Sequence, residues 1–285
     1  MSSNFDRVQV LSDALPFIQR FYGRTMVVKY GGSAMKNPQL KDKIVQDILL
    51  LSYIGIKIVL VHGGGPVINH WLKKVNITPK FVNGLRVTNK ATMEVVEMVL
   101  VGKINKDLVT SFNHSYPLAI GLSGKDANLI MASPFSADQP FNYTGKITKV
   151  NVGIVNLLIS QGYIPVIASV AAGSSGQAYN VNADTVAGAI ATSLSAEKLV
   201  LLTDVPGIML DTNTPSSLVR HLDIQQAHKL KLDKVIVGGM IPKIDCCIKA
   251  LKSSVKAAHI LNASVEHALL LEILTSDGIG SMLTL

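Results

Sequence analysis

An α/β protein with a mostly parallel sheet is the fold this sequence predicts. Two stretches, "VVKYGG" at 27–32 and "IKIVLVHGGGP" at 56–66, run from β-branched residues into glycines, with helical periodicity beyond. Strand–glycine–helix units of this kind suit a parallel sheet joined by crossover helices. Further apolar runs supply later strands: "YPLAIGLSG", "GYIPVIASV", "AEKLVLLTD", "DKVIVGG" and "VKAAHILNA". At 285 residues, 48% of them apolar and 16% charged, the chain can bury a large core as one domain or two lobes.

The opening segment places Val8, Leu11, Leu15, Ile18 and Tyr22 at helical spacing, and Pro16 is expected to bend or divide that helix. It precedes the first strand–helix unit, so its apolar face is expected to pack on the body of the molecule, with a partner subunit as the alternative. Asn37 is a candidate cap with Pro38 as first helical residue; Leu40, Ile44, Ile48 and Leu51 share a face, and Gly55 ends the segment. "KFVNGLRVT" predicts a hairpin, because Asn83-Gly84 suits the positive dihedrals of a two-residue turn. A long helix over "NKATMEVVEMVLVGKINKDLV" follows, then turn-rich sequence from Pro134 to Val152 with a hairpin expected around Thr144-Gly145. Ala183 to Leu194, Lys243 to Leu251 and Val265 to Leu274 read as helices, the last capped by Ser264 with Leu269 and Ile273 facing the core. "VAAGSSGQAYNVN" at 170–182 is a soft boundary between two lobes sharing one sheet.

Lys and Arg number 27 against 19 Asp and Glu, a net charge of +8, but the basic residues are scattered. A cationic cleft for a small anion explains this excess as well as nucleic acid would. Aromatic residues at 5%, with one tryptophan, leave little for stacking bases, and no nucleic-acid partner is expected. Cys246 and Cys247 are adjacent in an apparent helix and point apart, which indicates neither a disulfide nor a metal cluster and suits a reducing compartment. No apolar run approaches the roughly 20 residues that span a bilayer. "MSSNFDRVQV" lacks the basic-then-apolar order of a secretory signal, so a mature soluble protein without a membrane partner is expected.

Polar groups recur at strand ends. Lys29 leads into Gly31 and Gly32, and His62 into Gly63, Gly64 and Gly65, where backbone amides can approach phosphate or carboxylate oxygens. Neither run is the phosphate loop of common nucleotide hydrolases, and Gly124-Lys125 continues with Asp126 rather than Ser or Thr. No dinucleotide fingerprint follows the first strand. A second lysine, Lys243, follows Gly238-Gly239 and Pro242 in the first turn of a helix, where an anion would normally be favoured. "YNVNADTVAG" adds Asn180 and Asn182, and Asp184 in a first helical turn: a cap or dipole partner, or a carboxylate that holds two lysines. Thr203 and Asp204 end another strand before a Pro-Gly turn. Arg86, just past the hairpin turn, offers a fork that matches a carboxylate. These residues support anion binding and phosphoryl transfer without identifying a substrate.

In combination, "VVKYGG", "VLVHGGGP", "NGLRVT", "YNVNAD", "LLTDVPG" and "GGMIPK", in this order over nearly the whole chain, resemble the amino acid kinase family. The resemblance is strongest to its members that act on acetylglutamate. It implies a three-layer sandwich whose open, mostly parallel sheet has eight strands. It implies transfer of the ATP γ-phosphoryl, with Mg2+, to the γ-carboxylate of N-acetyl-L-glutamate in arginine biosynthesis. Lys29 and Lys243 would be the cations at the transferring group, with Asp184 orienting both. Gly31, Gly32 and Gly64 would be backbone donors, with Gly63 and Gly65 shaping their loop. Arg86 and Asn180 would hold the α-carboxylate end of the substrate, with Asn182 near the reacting or amide end. Thr203, Asp204, Gly238, Gly239 and Met240 would belong to the ATP side.

The leading helix and "NASVEHALLLEILTSDGIGSML" resemble the arginine-inhibited branch of that family. This implies L-arginine as inhibitor, with Tyr22, His267, Glu272 and Gly280 as effector-site candidates. It also implies a homo-hexamer, a trimer of dimers interlocked by residues 1–22, ahead of an acetylglutamate lobe at 23–180 and an ATP lobe at 181–285. The pattern is similar to cyanobacterial and plastid enzymes, whose PII nitrogen-signalling partner relieves the inhibition; cytoplasm and plastid stroma both remain open. The alternatives are a relative acting on another small acid, such as glutamate, aspartate or carbamate, and an arginine sensor without catalysis.

Overall fold

The computed structural model describes residues 4–32, 35, 37–82, 84–114, 117–136 and 142–285. Eight strands form the central sheet: β1 (Thr25–Tyr30), β2 (Lys57–His62), β3 (Ala119–Ser123), β4 (Ile164–Ala168), β5 (Lys198–Thr203), β6 (His221–Asp223), β7 (Ala257–Asn262) and β8 (Ser281–Thr284). Their order is β6-β8-β7-β5-β1-β2-β4-β3. Only β7 and β8 pair antiparallel. β1 after Thr25 and β2 after Lys57 are buried without a break, because both their faces are covered.

Alternation along β1 divides the core. Met26, Val28 and Tyr30 pack with α2 (Pro38–Tyr53) and α3 (Gly65–Lys74), and with α4 (Lys90–Glu97) and α5 (Asn105–Asn113). Val27 points the other way, toward α6 (Gly153–Ser160) and α7 (Ala183–Ser193). By the same period of two, Lys29 follows Val27 onto the α7 face. The remaining helices are α1 (Asn4–Phe21), α8 (Ile224–Leu232), α9 (Met240–Ser253) and α10 (Ala268–Ile273). α8 and α9 lie on the α7 side of the core, and α10 lies on the α2 side. From β1 the chain reaches β2 on one side and later returns to β5 on the other. Such a reversal opens a crevice at the carboxyl ends of parallel strands.

Local signals act largely as the sequence predicts. Asn37 caps α2 by accepting from the Gln39 and Leu40 amides, and Phe81–Val82 pairs with Leu85–Arg86. Asn83 of the expected turn lies outside the described residues, while Gly84 has φ +78°. Several expectations are corrected. Val235 to Val237 is not a strand: the Val235 and Ile236 amides bond back to the Leu230 carbonyl, closing α8. α9 starts at Met240, ahead of Pro242. The last helix starts at Ala268 after His267 in the left-handed region, so Ser264 is not its cap.

Thr144-Gly145 is no turn. Thr144 bridges Asn180, and Gly145 opens a strand (Gly145–Val150) paired with Ile130–Pro134. With Val170–Ala172 and Ala178–Asn180 these form a four-stranded sheet, so the soft boundary at 170–182 is a hairpin. The long helix is interrupted by a π-helical turn, Met98–Ile104, between α4 and α5. α1 runs through Pro16 as one helix. Its outer face is uncovered, with Val8 62%, Leu11 69% and Leu15 49% exposed, against 3% for Phe21 at its end. The expectation that this stripe packs on its own chain fails.

Candidate active site

Asn182 caps α7 by accepting from the amides of Asp184 and Thr185, which sets Asp184 in the first turn above the carboxyl end of β1. Lys29 Nζ lies 3.0 Å from Asp184 Oδ1. From α9, which packs along α7, Lys243 Nζ donates to Asp184 Oδ2 at 2.7 Å. One carboxylate thus grips two ammonium groups that stand far apart in the chain. Burial alone would raise the Asp184 pKa, but Lys29 and Lys243 outweigh it and hold the carboxyl below its ordinary value. The cluster carries one net positive charge, an unfavourable arrangement in a buried place unless an anion joins it.

Glycines surround the cluster. A Cβ on Gly31 would stand 3.2 Å from Lys29 Nζ. The Gly63 amide donates to the Tyr30 carbonyl at 3.1 Å, which ties the second glycine loop to the end of β1. Gly64 is the N-cap of α3. Gly31, Gly32, Gly63, Gly64 and Gly65 line one cleft with Lys29 and Asp184. Arg86, Asn180 and Asn182 line the same cleft. The Arg86 guanidinium lies over the Phe81 ring and donates from Nη2 to Asn69 Oδ1 at 2.6 Å. Its Nη1 is buried with no acceptor. Burial lowers the Arg86 pKa, yet a guanidinium keeps its charge. A carboxylate placed there would satisfy the orphaned donor. Asn180 donates to Thr88 Oγ1, and Thr144 Oγ1 donates to the Arg86 carbonyl, so these groups brace the cleft wall.

A second pocket adjoins the cluster from the α9 side, lined by Thr203, Asp204, Gly239, Met240 and Lys243. Gly238, at φ +55°, lies between the lining residues Val237 and Gly239 without lining the pocket itself. The walls are apolar, from Val205, Pro206, Ile208, Val235, Ile236 and Val237. Asp184 lines the first cleft and Lys243 the second, so their 2.7 Å bond spans the boundary between a polar pocket and an apolar one. Sequence reasoning missed Asn69, Thr88 and Thr144. Asn69 is one helical turn beyond Gly65, a spacing that could have drawn notice; no local signal marks the two threonines.

The four effector candidates divide. Glu272 and Gly280 line a cavity beneath α1 with Phe17, Arg20, Lys198 and Arg220. There Glu272 accepts from the Gly280 amide at 3.0 Å and pairs with His259 at 2.6 Å. Tyr22 is 70% exposed, its ring against Gly55, and His267 bonds Asp47 on α2 at 2.6 Å. Neither of these two lines the cavity.

Fold and cleft together define a protein with a cationic cleft for a small anion beside a second, apolar-walled pocket. Residues 24–262 match the amino acid kinase family, and the chain belongs to that family. Among curated relatives, it is 71% identical to the acetylglutamate kinase of Gracilaria tenuistipitata var. liui, covering 100% of both chains. It is 58% identical to the acetylglutamate kinase of Thermosynechococcus vestitus, over 99% of this chain and 96% of that protein. Among solved structures, an N-acetylglutamate synthase from Neisseria gonorrhoeae, complexed with coenzyme A and N-acetyl-glutamate, matches 100% of this chain at 26% identity and a TM-score of 0.87. This chain spans 64% of that longer one. A carbamate kinase from Giardia lamblia, 16% identical with a TM-score of 0.66, shares the fold over 92% of this chain and 98% of its own.

Proposed function

We propose that this chain transfers the γ-phosphoryl group of ATP to the γ-carboxylate of N-acetyl-L-glutamate, giving N-acetyl-L-glutamyl 5-phosphate in the second step of arginine biosynthesis. The observation that carries this reading is the Asp184 carboxylate holding Lys29 and Lys243 between the two pockets. The full-length identity to acetylglutamate kinases supports the substrate. Residues 23–180 supply the acetylglutamate lobe and 181–285 the ATP lobe; the second pocket is lined from 203–243 alone, while Val181, Asn182, Ala183 and Asp184 join the first cleft from the start of the ATP lobe.

A carboxylate is ionised near neutrality and attacks phosphorus without a general base. Lys29, Lys243 and the glycine-loop amides of Gly32 and Gly64 stabilise charge on the transferring group and the leaving ADP. Asp184 does not take a proton; it keeps both ammonium groups aimed at one point. Mg2+ accompanying ATP would supply further charge neutralisation beside Lys29 and Lys243.

The test is ADP formation that depends on acetylglutamate. Glutamate, aspartate or carbamate serving equally well would point to another family substrate. Arginine binding without turnover would point to a sensor. Arg86→Ala is expected to raise the acetylglutamate dissociation constant by ~10- to 100-fold, the loss of a charge-assisted pair. An unchanged constant in calorimetric titration removes Arg86 from substrate binding.

Regulation by L-arginine belongs to the same reading. Glu272 and Gly280 at the cavity beneath α1 support an effector site there; a Neisseria gonorrhoeae N-acetylglutamate synthase of this fold, solved complexed with coenzyme A and L-arginine, supports arginine as a ligand. The exposed stripe of α1 supports a hexamer, a trimer of dimers interlocked by this helix. Deleting residues 1–20 is expected to reduce the assembly to dimers in light scattering; an intact ring contradicts the interlock. A PII nitrogen-signalling protein relieves the inhibition, and the enzyme works in a cytoplasm or plastid stroma, as its cyanobacterial and red-algal relatives suggest.

A further inference from the structure

Behind the second glycine loop lies a polar pair that the reaction above does not use. His62, the last residue of β2, and Asn105, at the start of α5, are both fully buried. Asn105 Nδ2 donates to the carbonyls of Val166 at 2.8 Å and Leu122 at 3.3 Å. Carbonyls only accept, so this atom is the amide nitrogen; its two N–H groups are shared among the two carbonyls and His62 Nε2, 3.1 Å away, toward which an amide nitrogen can only donate. With Nε2 accepting, the imidazole proton sits on Nδ1, which lies 3.1 Å from the Gly63 carbonyl oxygen and donates to it. Burial pushes the His62 pKa down to about 4, so the ring stays neutral under working conditions.

The π-helical turn Met98–Ile104 makes this arrangement possible. The Asn105 amide N–H reaches back five residues to the Leu100 carbonyl, and the Asn105 side chain enters the core. Its Oδ1 occupies space that a Cβ on Gly121 would take, 2.0 Å away. From the same turn, Leu100 and Ile104 fill the space where a Gly64 side chain would stand, with atoms 2.8 and 2.2 Å from that position. One irregular turn therefore presses on Gly64 and holds the ring that bonds Gly63.

We propose that His62 and Asn105 are positioning residues for phosphoryl transfer, fixing the Gly63–Gly64 peptide so that the Gly64 N–H aims into the reaction cleft. A trans peptide directs its C=O and N–H to opposite sides. Pinning the Gly63 oxygen on the buried imidazole therefore turns the Gly64 N–H away from the core. The inference rests on the phosphoryl-transfer reading of the cleft.

The experiment compares the intact wild-type chain with His62→Leu, His62→Asn and Asn105→Leu in the acetylglutamate-dependent ADP assay, with thermal midpoints measured alongside. H62L is expected to lose at least about tenfold in kcat, less than the ~10²–10³ lost when an oxyanion donor is removed outright. Its KM for acetylglutamate is expected to stay within about threefold. N105L, which frees the ring tautomer, is expected to lose kcat in the same sense. H62N places an amide nitrogen where Nδ1 stood, and its kcat is expected to recover to within about threefold of wild type. Wild-type kcat in H62L or N105L overturns the proposal. So does an H62N loss equal to that of H62L, because donation from the δ position would then not matter. An inactive wild-type chain instead refutes the phosphoryl-transfer reading itself.

Discussion

Lys243→Ala lowers the turnover of acetylglutamate phosphorylation by ~10² or more, the scale on which preorganised transition-state donors act. The ammonium stands in the first turn of α9, 2.7 Å from Asp184 and on the boundary of the apolar pocket. Charge at that boundary grows as the phosphoryl group leaves ADP, so a fixed cation there contributes more in the transition state than to the bound reactants. The fold is expected to survive, because Lys243 reaches the cleft from a helix whose core contacts come from Ile244, Cys247 and Ile248. Steady-state kinetics of K243A with its thermal midpoint check both parts. A wild-type rate removes Lys243 from the reaction.

Asp184→Asn costs both activity and acid-dependent stability. The substitution keeps the shape of the side chain and removes the charge that binds Lys29 at 3.0 Å and Lys243 at 2.7 Å. The two ammonium groups then repel and shift, and a displacement of ~1 Å in a reacting constellation can cost ~10² in rate. Breaking a buried ion pair costs ~3–5 kcal/mol. The loss here is expected near the ~3 kcal/mol end of that range, because Lys29 and Lys243 keep 10% and 17% of their side chains exposed at the cleft.

The sign of the pH effect follows from the native carboxyl. Burial raises its pKa, the two lysines lower it by more, and the net value lies below the ordinary 3.8. Its contribution to stability is complete above that ordinary value and is lost as pH falls through the lowered one. Wild type and D184N should therefore differ most near neutrality and converge on acidification below about 4. Urea midpoints at several pH values measure this. A gap that does not narrow excludes the ion-paired carboxylate as the source.

Lys29, Asp184 and Lys243 were each legible as candidates because local chemistry marks them: a strand end before glycines, a capped first turn, and a cation where a helix start favours anions. The Asn37 cap and the strand that carries Lys29 were legible for the same reason, since both depend on neighbours in the chain. β6 and β8 were not. β6 is an edge strand of three residues and β8, between it and β7, has four; both are too short to show a period, and their pairing depends on β7 already being in place. Val235 to Val237 misled because the β-branched run has no partner strand and its amides close α8 instead.

The sequence by itself determined the strand–glycine–helix order and the residue types at each strand end, because propensity, capping and glycine freedom act within a few residues. Only the tertiary structure decided that β5 lies beside β1 and that α9 packs along α7, which brings Lys243 to a carboxylate 59 residues away. It alone decided that the apolar stripe of α1 stays uncovered while His62 and Asn105 meet in the core. Long-range pairing and burial are properties of the whole packed chain, and no local window contains the competing contacts that select them.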